Sequence, residues 1–312
     1  MQVSLPMKKQ MGLQLLTALL FLLLTGLGIL GNMSVFVNYV HSSGGGIEKN
    51  CAQLILIHLV LTNTMLLLTK GLPKTIAAFR LNYFLSIMGC RITLYLERVS
   101  RGLSICTSSL LTVVQASTIS PRASVWRRLK PRSAWHVLLL LLFFWILNCF
   151  ISMSLLNIII ITDMNSSHFS SDHYCSTQPG NLKINNIFVT FMAVRDAVSP
   201  IIMAVASGYM VFLLHKHHQH VLYLRNSKLL YKTPPEMKAA QSILLLMLSF
   251  LFFYLTDCLL SLYLIVASEP ISILARVQEL ATLGYPFLSP FVLIHRDEHL
   301  PECWQAQWTK RH

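Results

Sequence analysis

Only 12% of the 312 residues are charged, while 54% are of the hydrophobic class and mean hydropathy is +0.59; an average soluble domain devotes about a quarter of its residues to charge. A soluble protein of this size could not cover so apolar a core, so the chain reads as an integral membrane protein. The formal net charge of +13 requires no nucleic acid, because it is mostly an excess of Lys and Arg in segments expected to face the cytosol, where anionic lipid and a cytosolic partner meet them.

Seven apolar blocks are long enough to cross a bilayer, which takes about 20 consecutive apolar residues. In chain order they are Met11 to Tyr39, Cys51 to Thr69, Cys90 to Ser117, Trp135 to Thr162, Ile187 to Leu214, Ala239 to Ala267 and Ile273 to Ile294. Segments such as "HSSGGGIEKN" and "TPPEMK" separate them. A single span in lipid satisfies its own backbone only as a helix, so the expected fold is an all-α bundle of seven transmembrane helices forming one domain over 1–312. The first block follows Lys8 and Lys9 but runs longer than the roughly 7 to 15 apolar residues of a signal peptide, and it is read as a retained span.

Orientation follows from Lys and Arg near the span ends. With the N-terminus outside, the cytoplasmic segments include Arg122, Arg127, Arg128, Lys228, Lys232, Lys238 and the tail at about 295–312, and they hold more positive charge than the outer segments. The outer loops hold fewer, Lys70 and Lys74 among them, and Lys8 and Lys9 run weakly against this orientation. The expectation is a plasma-membrane protein with a short extracellular N-terminus, about 1–10, and a cytoplasmic C-terminus. Cys90 then opens the third span at the outer face and Cys175 lies in the second outer loop, the oxidising side, so a disulfide between them is predicted. The sequon "NSS" at Asn165 falls in the same loop and is the expected glycosylation site.

The third block carries Glu97, Arg101, Ser104, Ser108, Thr112 and Gln115 at spacings of three and four, one continuous polar stripe on a helix. Such a stripe cannot face lipid, because a charge at bilayer depth costs from about 2.5 kcal/mol upward. Glu97 and Arg101 stand at i, i+4. They either neutralise each other and hold helices together or line a cavity. Other spans add Arg195 and Asp196 in the fifth, Asp257 with Ser249, Phe253 and Ser261 in the sixth, and Arg276, Glu279 and Tyr285 in the seventh. Polar groups converging in a mostly apolar bundle describe a small-ligand pocket. Its candidate residues are Glu97, Arg101, Ser104, Asp196, Asp257 and Glu279.

The sequence holds no phosphate loop, no G-x-S-x-G and no H-E-x-x-H, and neither an enzyme nor a cofactor is expected. "HKHHQH", His215 to His220, is read as a solvated basic loop rather than a metal site.

"RGLSICTSSLLTVVQASTISPR" in the third block, "ILIHLVLTNTMLLLTKGLPKTIAAF" in the second and "YPFLSPFVLIHRD" in the seventh resemble the vomeronasal type 1 receptors, pheromone receptors among the G-protein-coupled receptors. The resemblance covers essentially every span. It implies a receptor for small, often volatile social odorants that couples to an inhibitory-type heterotrimeric G protein, with Arg122, Arg127, Arg128, Lys228, Lys232 and Lys238 as candidate G-protein contacts. Gly31, Asn32, Trp145, Pro200 and Pro290 match general rhodopsin-like positions. Asn63 stands where that pattern has a sodium-binding Asp, the acidic-Arg-Tyr end of the third span is missing, and the sixth span lacks a kinking proline. A bitter-taste receptor would share the fold, and a secondary transporter should show an internal repeat that these spans lack.

Overall fold

The computed structural model describes residues 7–42, 51–78, 87–121, 124–131, 133–153, 159–161, 176–178, 182–225, 235–266 and 272–296. Its elements are α1 (Met7–Ser42), α2 (Cys51–Leu66), a π turn (Leu67–Gly71), α3 (Leu72–Ala78), α4 (Ile87–Ile119), α5 (Val125–Arg128), α6 (Ala134–Ser152), α7 (Leu182–Arg225), α8 (Pro235–Val266) and α9 (Ser272–Arg296). Among the described residues, seven stretches are long and apolar enough to span a membrane, at the seven positions expected, with α2, the π turn and α3 making one span.

The polar stripe predicts that the third span is the enclosed one. In α4, 78% of the apolar stretch is buried, against 22% in α6 and 28% in α7. The helix is surrounded by α2, α6, α7 and α8, so its hydroxyls meet protein rather than lipid. Around it lies an apolar core that includes Ile55, Leu59, Ile105, Leu111, Met203 and Met247. Leu139, Phe143, Ile146 and Phe150 of α6, by contrast, are exposed, as lipid-facing side chains must be.

Prolines account for two of the tertiary polar contacts between the spanning helices. A proline has no N–H, so the carbonyl four residues earlier loses its helical partner and must find another donor. Pro290 in α9 frees the carbonyl of Pro286, and Asn32 of α1, fully buried, donates to it from Nδ2 at 2.9 Å. Pro200 in α7 frees the carbonyl of Asp196, and the Tyr254 hydroxyl of α8 donates to it. Pro73 follows the π turn, where the Leu72 N–H reaches back to the Leu67 carbonyl in an i→i−5 bond. One extra residue is thereby inserted before the proline, and the second span continues to Ile76 and its helix to Ala78, well past the Thr69 at which its apolar block ends.

Two further boundaries differ from expectation. The fourth block is helical only to Ser152, and Ile159–Ile161 form a strand, β1, antiparallel to β2 (Ser176–Gln178). A β-branched run such as Ile158 to Ile161 is as favourable in a strand as in a helix once it leaves the bilayer. The histidine run at His215 to His220 is not a loop: α7 continues through it to Arg225, with Gln219 and His215 bonded at 3.0 Å one turn apart.

Candidate functional site

Arg101 lies near the middle of α4, on its enclosed side, and needs a counter-charge. The i, i+4 spacing suggests Glu97, and the structure corrects that reading. Arg101 Nη2 donates to Asp257 Oδ2 of α8 at 2.6 Å, while Glu97 accepts from Lys70 of the π turn at 3.2 Å. Buried ion pairs form where geometry permits both partners to be hydrogen-bonded, and facing helices here offer better geometry than the same helix one turn away. Asp257 also accepts from the Thr282 hydroxyl of α9 at 3.1 Å. The pair therefore ties the third, sixth and seventh spans.

The other acids are each committed to one cation. Glu279 of α9 takes Lys74 of α3 at 2.5 Å, and Asp196 takes its neighbour Arg195 at 2.7 Å. Lys70 and Lys74, read from the sequence as loop charges that set topology, belong to the second span and complete two of these pairs. The nearest signal in the sequence is Pro73, which marks a disturbed helix but not the direction in which the disturbance turns Lys70.

One turn further along α4, Ser104 donates to Asn63 Oδ1 at 2.8 Å, and Asn63 Nδ2 donates to Ser289 Oγ at 2.9 Å. Both polar ends of Asn63 are thus used in uncharged hydrogen bonds among three spans. Ser108 bonds the Tyr285 hydroxyl at 3.0 Å, and Tyr285 meets Phe250 edge to face with ring centroids 4.7 Å apart. On the neighbouring face of α2, His58 accepts from Trp145 Nε1 at 2.9 Å, which leaves Nδ1 to carry the proton toward Thr107 Oγ1 at 2.9 Å.

Between Arg101, Ser104, Phe253, Asp257, Thr282 and Tyr285 lies a cavity of about 40 Å³, room for about three or four waters at roughly 10–15 Å³ each. Three of the six expected ligand-site residues border it: Arg101, Ser104 and Asp257. Glu97, Asp196 and Glu279 do not. An aromatic wall of Phe250, Phe253, Tyr254 and Tyr285 forms one part of the lining; of these the sequence patterning singled out Phe253 and Tyr285. Phe253 packs on Gly284, where a Cβ would come within 2.2 Å of its ring.

Cys90, at the start of α4, is buried and disulfide-bonded. Cys175 lies outside the described residues, as do Asn165, Arg122, Lys228 and Lys232. Arg127 and Arg128 are carried on the short helix α5, and Lys238 belongs to the first turns of α8. Helix α5 is held in place by Trp126, stacked on Tyr209 of α7 at 5.2 Å, and by its N-cap Ser124, which shares a 3.1 Å hydrogen bond with the Tyr209 hydroxyl.

Seven membrane helices, the third of them buried and polar, with a cavity between the third, sixth and seventh, define a multi-pass membrane protein of the rhodopsin-like fold. Squid rhodopsin superposes with a TM-score of 0.73 over 96% of this chain and 86% of its own, at 14% identity. The model of the vomeronasal organ pheromone receptor family matches residues 17–306. Human vomeronasal type-1 receptor 4 is 35% identical over 280 residues, 88% of this chain and 91% of that receptor. Mouse vomeronasal type-1 receptor 46 is 32% identical over 274 residues, 88% of each. The chain belongs to the vomeronasal type 1 receptor family; it is a receptor and not an enzyme.

Proposed function

We propose that this receptor binds a small odorant or pheromone in the cavity between α4, α8 and α9 and activates a heterotrimeric G protein of the inhibitory type. The observation that carries the reading is the Arg101–Asp257 pair: a charged, hydrogen-bonded link between the third and sixth spans that borders an otherwise uncharged cavity. A ligand entering there must rearrange the contact between two helices. In receptors of this fold a partner that prefers separated helices stabilises that state by its differential affinity.

Gly284→Ala tests the site. The new methyl pushes the Phe253 ring into the cavity, where the room is already small. In cells carrying a promiscuous G protein, agonist potency is expected to fall about tenfold, roughly 1.4 kcal/mol of binding, with surface expression near that of the unsubstituted receptor. Equal potency would place the ligand elsewhere.

The proposed orientation has the N-terminus outside the plasma membrane and the C-terminus in the cytosol, with a Cys90–Cys175 disulfide holding the second outer loop over the cavity mouth and a glycan at Asn165. Glycosidase treatment should lower the apparent mass, and Asn165→Gln should remove that shift; a shift persisting in the variant would mean the loop lies on the other side. The opposite end of the bundle then offers Arg122, Arg127, Arg128, Lys228, Lys232 and Lys238 to the G protein. Arg127 and Arg128 are already presented on a helix anchored by Trp126.

A further inference from the structure

Among the described residues, the charges of the cavity and of the acids around it cancel in pairs. Arg101 is taken by Asp257, Glu97 by Lys70, Glu279 by Lys74 and Asp196 by Arg195. The two ionised groups that border the cavity are partners of one another. An anion docking on Arg101 would have to displace Asp257, whose side chain is 6% exposed and would keep only the Thr282 hydroxyl as a donor. A cation docking on Asp257 would strand Arg101, whose side chain is 22% exposed. Removing one member of a buried pair leaves an uncompensated charge, and this penalty is larger than the gain from a single new contact.

A hydroxyl escapes the penalty. It carries one donor and two acceptor lone pairs, so it can accept from the Arg101 guanidinium while donating to the Asp257 carboxylate, and neither ion loses a partner. A group that only accepts satisfies Arg101 alone. The rest of the lining, Leu66, Ile105, Phe250, Phe253 and Tyr285 among it, is suited to an apolar and aromatic-tolerant body.

We infer that the receptor's ligands are uncharged molecules with an apolar body and a hydroxyl that bridges Arg101 and Asp257 alongside their direct contact, and that carboxylates and amines of the same shape are rejected. This deepens the proposed function and rests on the cavity being the ligand site. The ion pair acts as a filter on ligand charge as well as a link between α4 and α8.

The test uses three probes with one carbon frame, 4-phenylbutan-1-ol, 4-phenylbutyrate and 4-phenylbutylamine, each larger than the resting cavity, so that binding must widen it. Binding is read as the thermal shift of the full-length receptor purified into nanodiscs. The alcohol should bind at least about tenfold more tightly than either ion, since each ion strands a buried charge. Asp257→Asn keeps an acceptor for Arg101 and Thr282 but removes the counter-charge, so the butyrate should gain about tenfold; Arg101→Gln should favour the amine by a similar factor. Two results would overturn the filter: an ion that binds the unsubstituted receptor as tightly as the alcohol, or an order of preference unmoved by either variant. The three probes on the unsubstituted receptor decide the ligand class even where a variant does not fold. Gly284→Ala separates the two readings. If it lowers alcohol affinity while the ions bind equally well, the cavity is the ligand site and the charge filter is wrong. If it leaves alcohol affinity unchanged, the cavity is not the site and both readings fall.

Discussion

Gly102→Ala is expected to cost about 3–5 kcal/mol and to leave little receptor at the cell surface. A Cβ at this position would lie 1.9 Å from Asn148 Oδ1 and 2.3 Å from Arg195 Nη1. Those two atoms are themselves hydrogen-bonded at 2.8 Å, and both residues are buried. The guanidinium of Arg195 thus crosses α4 where only a hydrogen atom stands and binds α6, with Asp196 as its counter-charge. No exposed end of a flexible side chain can give way, so the methyl must break the Arg195–Asn148 bond or push the helices apart. The thermal midpoint of the purified receptor measures the loss. Gly208→Ala is the control: a Cβ there meets nothing within 4 Å, and the change should stay within about 0.5 kcal/mol or stabilise slightly. Arg195→Met should absorb part of the Gly102→Ala loss, because neighbouring substitutions that share one clash do not add. Equal midpoints for the two glycine variants would refute the crossing.

Asp257→Ala is the second large effect. It strands Arg101 beside the cavity and leaves the Thr282 hydroxyl with the Gln278 carbonyl alone as acceptor, with an expected loss of about 3–5 kcal/mol. The double change Arg101→Met and Asp257→Leu should restore most of the thermal midpoint, since exchanging a whole buried pair for apolar groups of similar size is often near neutral. Its response to ligand should remain lost. A double variant as unstable as Asp257→Ala would mean that the charges stabilise the bundle beyond their mutual pairing. A double variant with full response would mean that the pair takes no part in ligand recognition.

These effects separate what is local from what is not. The number, order and approximate limits of the seven helices were legible in the sequence, because insertion into lipid depends on the summed hydropathy of about 20 consecutive residues, a property each stretch carries alone. The polar face of α4 was legible for a similar reason: Ser104, Ser108 and Thr112 share a face by helical periodicity whatever surrounds them. So was the membership of Arg101, Ser104 and Asp257 in one polar region, since a charge in a span has only the bundle interior to face.

Partner choice was not legible. Glu97 and Arg101 satisfy the i, i+4 rule, yet the π turn at Leu67–Gly71 turns Lys70 toward Glu97, and the approach of α8 delivers Asp257 to Arg101. Hydropathy contains no information on which helix faces which, and one inserted residue in a helix rotates every later side chain by about 100°. The use of Gly102 as a passage for Arg195, and of Asn32 and Tyr254 to cap carbonyls freed by prolines in other helices, depends equally on distances between helices. Seven spans and a buried polar third helix follow from residues close together in the chain; that Glu97 and Arg101 of that helix pair with Lys70 and Asp257 of other spans, leaving the cavity without net charge, follows from the packing of elements far apart in it.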